Sequence, residues 1–135
     1  MDVAWEANTT YSTYLLQARA ERIIESHDQR QPLFLYLPFQ SVHGPLQVPQ
    51  QYEDMYGEVE DLDRRTYLGM VTAMDDVVGN VTESLKRTGM YDNSVIIWFS
   101  DNGGPTIHGA SNFPLRGYKA SFLVCTLRTI SVLYL

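Results

Sequence analysis

Ser100-Asp101-Asn102-Gly103-Gly104 sets a carboxylate beside a carboxamide, with two glycines directly after them. Asp101 and Asn102 offer adjacent hard oxygen donors, which suit Ca²⁺ or Mg²⁺ better than zinc, and the glycines let the backbone approach a ligand closely. The same residues also form a generic turn, so local pattern leaves both readings open. His43 stands in Gln40-Ser41-Val42-His43-Gly44-Pro45, where an imidazole could serve as general acid or as a hydrogen-bond donor to an anion. Lys119 and Arg116, in Pro114-Leu115-Arg116-Gly117-Tyr118-Lys119, could give cationic stabilisation to an oxyanion. Taken singly, each of these three is better read as a solvated surface side chain.

Other groups look chemical and are not. Asp75 and Asp76 are neighbours on a helical pattern, so they point about 100° apart and cannot face one substrate as a pair. His27, His43, His108 and Cys125 lack zinc-site spacing, and there is no glycine-rich phosphate loop. Asn80-Val81-Thr82 and Asn8-Thr9-Thr10 are glycosylation acceptors by pattern. Asn80 falls about 220° round the helix from Tyr67, on the face expected to be wet.

These residues need a scaffold. Thr10–Ser26 reads as a helix, with Leu16, Ala20, Ile23 and Ile24 at helical spacing. Pro32 follows, and then Leu33-Phe34-Leu35-Tyr36-Leu37, an apolar run of strand length expected to be buried on both faces of a parallel sheet. Phe39–Gly57 reads as a long loop broken by Pro45, Pro49 and Gly57, and long loops in compact domains are often functional. Leu62–Arg87 is the strongest helix, with Tyr67, Val71, Met74, Val78, Val81 and Leu85 forming an apolar stripe and Gly89 as the stop. Asp92-Asn93 is a turn before a second buried strand, Ser94–Ser100. Strand, helix and strand in this order predict an α/β fold, a mostly parallel sheet flanked by helices. In such sheets ligands sit beyond the carboxyl ends of the strands. The loops carrying His43 and Asp101–Lys119 both leave from those ends.

Composition narrows the classes further. The 135 residues are 44% hydrophobic and 19% charged, ordinary for a chain that buries a core. Sixteen acidic against ten basic side chains give a net charge of −6, which argues against a surface built to release phosphate counterions, so no nucleic-acid partner is expected. Cys125 is the sole cysteine, so no internal disulfide framework can form. Met1–Tyr11 lacks the basic start and apolar run of a signal peptide. The apolar tail Phe122–Leu135 is 14 residues long and carries Arg128, too short and too interrupted for a membrane span.

His43-Gly44-Pro45-Leu46-Gln47-Val48-Pro49, Ser100–Gly104 and Pro114–Lys119, with the helix Tyr67–Thr82 between them, resemble successive motifs of the type I sulfatases in order and spacing, within the arylsulfatase B, I and J branch. The resemblance covers about Tyr11–Phe122. It implies an alkaline-phosphatase-like fold hydrolysing sulfate esters, with sulfated hexosamine glycans or aryl sulfates as substrates. It implies Ca²⁺ on Asp101 and Asn102, and His43 and Lys119 on the sulfate, with Arg116 taken as a further substrate-binding residue. It further implies a nucleophile made by oxidising a cysteine to formylglycine, and a lysosomal or secreted glycoprotein with glycans at Asn80 and Asn8.

The departures are as informative. The formylglycine motif Cys-x-Pro/Ala-x-Arg is absent, and Cys125-Thr126-Leu127-Arg128-Thr129 has neither its spacing nor its place. The paired aspartates that complete the family's calcium site are missing, as are the lysine and histidine that follow its nucleophile. After Phe122 the family's Trp-Glu-Gly-Gly is replaced by Leu123-Val124-Cys125-Thr126. Residues 1–122 are therefore expected to be a partial catalytic domain, 123–135 a divergent apolar tail, and the chain alone inactive. Two alternatives stand beside this: a truncated product without activity, and a metal-dependent phosphatase or phosphodiesterase relative. The latter needs a Thr or Ser nucleophile and a richer metal cluster than His43, Asp101 and His108 provide.

Overall fold

The computed structural model describes residues 10–119, Ser121 and the backbone of residues 131–134. Asn8, Cys125 and most of the tail that begins at Phe122 lie outside the described residues. The elements are helix α1 (Ser12–Ser26), the short helix α2 (Gln50–Asp54), helix α3 (Leu62–Arg87), strand β1 (Val95–Trp98) and strand β2 (Ser131–Tyr134). Single 3-10 turns fall at Tyr91–Asn93 and Thr106–His108.

α3 has the bounds that its periodicity predicts, and its ends are well made. Asp61 caps the first turn, its carboxylate accepting the Arg64 N–H at 2.9 Å. Asp63 at the start and Lys86 and Arg87 at the end complement the helix dipole. Gly89 stops the helix as expected, at φ +72°, a conformation other residues adopt only with strain. The Met90 N–H then closes the end on the Leu85 carbonyl at 2.9 Å.

The core is the seam between α1 and α3, where Ala20 and Ile24 meet Val77 and Val81. This corrects the predicted stripe in part. The buried residues of α3 are Gly69, Met70, Ala73, Val77, Val81 and Ser84, so of the predicted stripe Val81 is buried while Tyr67, Val71, Met74, Val78 and Leu85 are not. Ala73 and Ser84 are wholly buried yet, being small or polar, add little to an apolar pattern. The rest of the predicted stripe lies along an open groove, with Leu85 also packed on the seam and Val71 36% exposed.

Two expectations about strands change. Leu33–Leu37 forms no sheet ladder among the described residues, and the described sheet is two-stranded and antiparallel, with Val95 opposite Tyr134 and Trp98 opposite Ser131. No parallel neighbour for either segment is among the described elements. Nor is the run buried on both faces. Leu33, Leu35, Leu37 and Phe39 pack on the α1–α3 seam, while Phe34 is 91% exposed and Tyr36 67%. Alternation of period two is what a pleated chain with one covered face produces. β1 repeats it, with Val95 and Ile97 exposed and Ile96 and Trp98 half-buried.

The predicted loop Phe39–Gly57 contains α2, which sequence reading missed. Pro49 opens it, and Tyr52 anchors it to α3 by donating its hydroxyl to the exposed Asp76 carboxylate at 2.8 Å. Tyr56 bonds Thr72 at 2.6 Å, one helical turn away from Asp76. No helix among the described residues is long and apolar enough to cross a membrane.

Candidate functional site

The loops after Leu33–Leu37 and after β1 open into one groove of about 1990 Å³, floored by the outer stripe of α3. His43, Asp101, Asn102, His108 and Lys119 all line it. Convergence of both loops on one cavity is what ligand placement beyond strand ends requires.

Its closest chemical contact joins residues 76 positions apart: Lys119 Nζ lies 3.1 Å from His43 Nε2. On its other side the imidazole Nδ1 is 2.8 Å from the Gly44 carbonyl oxygen. A carbonyl only accepts, so Nδ1 carries the proton, and in the neutral ring Nε2 is then an acceptor. The ammonium of Lys119 donates to it and keeps two further N–H groups for another acceptor. Both side chains are exposed to the groove.

The lysine is tied to the Asp101 loop through its backbone, its N–H donating to the Gly103 carbonyl at 2.8 Å. That loop is held in turn by Asn112, whose carboxamide accepts from Gly104 N–H at 2.9 Å and donates to the Gly104 carbonyl at 2.6 Å. Arg64 Nη1 donates to the Gly109 carbonyl and pins the same segment to the start of α3. Tyr67 lines the groove between them, and burial raises its phenol above the usual tyrosine range despite the opposing influence of Arg64.

Asp101 is exposed, with no hydrogen-bond partner among the described residues. The Asn102 amide donates to the Gly103 carbonyl at 3.1 Å, which leaves its oxygen free. These are oxygen donors of the right hardness for calcium, but Ca²⁺ takes roughly six to eight. No group of three or more His, Cys, Asp or Glu gathers among the described residues. The described residues alone do not make a calcium shell.

Arg116 is exposed and does not line the groove, so the structure does not bring it to His43 and Lys119. Asn80 is exposed on α3, as the helical angle predicts. Sequence reading missed the Asn112 clamp, for which no pattern in the chain gives a signal.

A sulfatase family profile matches residues 2–124. The chain belongs to the sulfatase family. It is 41% identical to arylsulfatase J of Mus musculus over 134 residues, covering 98% of this chain and 22% of that protein. It is 30% identical to N-acetylgalactosamine-6-sulfatase of Rattus norvegicus over 122 residues, covering 87% of this chain and 22% of that one. Among solved structures it superposes on Ps i-CgsB in complex with k-i-k-neocarrahexaose with a TM-score of 0.78 and 38% identity, covering 92% of this chain and 27% of that one. The chain thus spans about a quarter of the length of the sulfatases it matches. Its fold is the alkaline-phosphatase-like α/β fold of these enzymes, a family of sulfuric ester hydrolases.

Proposed function

We propose that this chain is the part of a sulfuric ester hydrolase catalytic domain that grips the sulfate group, with His43 and Lys119 as the gripping pair. The observation that carries this is the 3.1 Å contact between Lys119 Nζ and His43 Nε2 in a groove shared with Asp101 and Asn102. A sulfate ester is a tetrahedral anion, and charge grows on its oxygens as the sulfur–oxygen bond breaks. Fixed donors aimed at those oxygens are worth most in such a reaction. Lys119 supplies charge and two free N–H groups. His43 holds the ammonium in place and, once protonated, can give its proton to the leaving oxygen.

Asp101 and the Asn102 oxygen serve as two ligands of a Ca²⁺ ion whose remaining oxygens come from outside the described residues. When bound, that ion would neutralise negative charge on the sulfate. The substrates are sulfated hexosamine glycans or aryl sulfates, and the compartment is lysosomal or secreted. The exposed Asn80 sequon accepts a glycan there. Catalysis by the chain alone is not expected, because its 135 residues contain no Cys-x-Pro/Ala-x-Arg.

Two measurements on the purified chain test this. Sodium sulfate, added against sodium chloride at equal ionic strength, should shift the NMR signals of the His43 ring and the Lys119 ammonium saturably, and Lys119→Ala should abolish the His43 response. Aryl sulfate turnover should not exceed that of a Cys125→Ala control. An unresponsive His43 would remove the gripping pair, and turnover lost in Cys125→Ala would show a nucleophile where none is proposed.

A further inference from the structure

Thr13 is wholly buried near the start of α1, where a valine of nearly the same shape would pack as well. Its hydroxyl instead reaches across 28 positions of sequence, with Oγ1 2.7 Å from Ser41 Oγ. Tyr11, at the N-cap of the same helix, brings its phenol to the same atom at 3.1 Å. A serine hydroxyl has one proton to give and two lone pairs to receive. Two partners from one helix end therefore hold Ser41 Oγ at a point.

Ser41 lies inside the turn that His43 closes with its N–H on the Gln40 carbonyl at 3.0 Å. The rest of that turn has little to hold it, since His43, Gly44 and Pro45 are all exposed and Val42 is half-buried. The path from core to site is thus short. Thr13 fixes Ser41, the turn aims the His43 side chain, the Gly44 carbonyl sets the ring, and Nε2 meets Lys119.

We propose that Thr13, acting through Ser41, is a positioning residue that holds the His43 imidazole in register with Lys119 before an anion arrives. This rests on the gripping role proposed above for that pair. A buried hydroxyl without a partner is unfavourable, so the helix end and the loop each need the other. Two exposed side chains with no such anchor would sample many rotamers and meet only part of the time. Affinity for the anion would fall by the fraction of time the pair is misaligned.

The test uses the whole chain with isotope-labelled histidine, as wild type, Thr13→Val and Thr13→Ser. Long-range proton–nitrogen spectra read the His43 tautomer, and a sodium sulfate titration reads the pair. Thr13→Val should keep the far-ultraviolet helix signal and move the His43 ring nitrogens towards tautomer-averaged values. It should also raise the sulfate midpoint about five- to tenfold, and Thr13→Ser should restore both. A Thr13→Val chain with unchanged ring nitrogens and a midpoint within about twofold of wild type overturns the proposal. Should Thr13→Val lose its helix signal, Ser41→Ala decides in its place, since Ser41 lies outside every helix: the same shift supports the proposal and unchanged spectra overturn it. If sulfate moves no His43 signal in the wild type, the gripping role fails. The tautomer comparison without sulfate still decides the role of Thr13.

Discussion

Replacing Val77 and Val71 separately by alanine measures which face of α3 holds the molecule together. Val77 is wholly buried in the α1–α3 seam, whereas Val71 is 36% exposed beside the groove. Each substitution removes two methyl groups, worth about 0.8 kcal/mol apiece when fully buried. At Val77 the whole ~1.6 kcal/mol is lost and a cavity cost of ~1 kcal/mol is added, since the seam between two helices relaxes only partly. At Val71 only ~1 kcal/mol is at stake, and no closed cavity forms on an open groove. Alanine returns ~0.6 kcal/mol of helix propensity at both positions. The net costs are therefore about 2 kcal/mol at Val77 and at most about 0.5 kcal/mol at Val71. Urea unfolding followed by circular dichroism reads both. With a slope near ~2 kcal/mol per molar, Val77→Ala should lower the midpoint by about 1 M and Val71→Ala by a few tenths at most. Equal shifts, or a larger one at Val71, would refute the assignment of the core to the Val77 face.

Three more outcomes follow from individual contacts. Burial first, then hydrogen bonds with Tyr14 and Asp76, hold the Tyr52 phenol above the ordinary tyrosine range. A raised folded value means that the stability it confers is complete below the unfolded tyrosine value of about 10 and drains away as pH rises past it. The urea midpoint should accordingly fall more steeply above about pH 10 in wild type than in Tyr52→Phe, and parallel curves would count against it. A Cβ on Gly104 would sit 2.6 Å from Ala110 Cβ, so Gly104→Ala should cost about 1–3 kcal/mol in the same urea assay, with Ala110→Gly restoring most of it. Asp61→Ala removes the cap on Arg64 N–H and should cost about 1 kcal/mol by thermal melting, while Asp61→Asn should cost little.

What could be read in advance depended on how local each cause is. α3 was predictable to its ends because its cap, its dipole charges and its Gly89 stop all lie within its own sequence. The buried face of the same helix was legible only in part, at Val81, since wholly buried Ala73 and Ser84 carry little apolar signal of their own. Leu33–Leu37 reads as a strand on two counts, apolarity and length, but a ladder needs a neighbouring strand, which its own residues cannot encode. At the site, His43, Asp101 and Lys119 could be named from motif and strand-end position. The contacts that hold them could not: Thr13 to Ser41 and Asn112 to Gly104 are hydrogen bonds between residues with no periodic relation. Arg116 shows the converse limit, a cation within the right motif that the fold leaves outside the groove.

The most direct test is functional transplantation into an active relative. Residues 2–124 should replace the matching segment of mouse arylsulfatase J, and kcat/KM for an aryl sulfate should be measured for the chimera and for its His43→Ala and Lys119→Ala forms. The chimera should be active, with losses of about 10²–10³ in kcat for each alanine form, the scale of removing one donor from a developing anion. Alanine forms as active as the chimera itself would contradict the gripping role of His43 and Lys119.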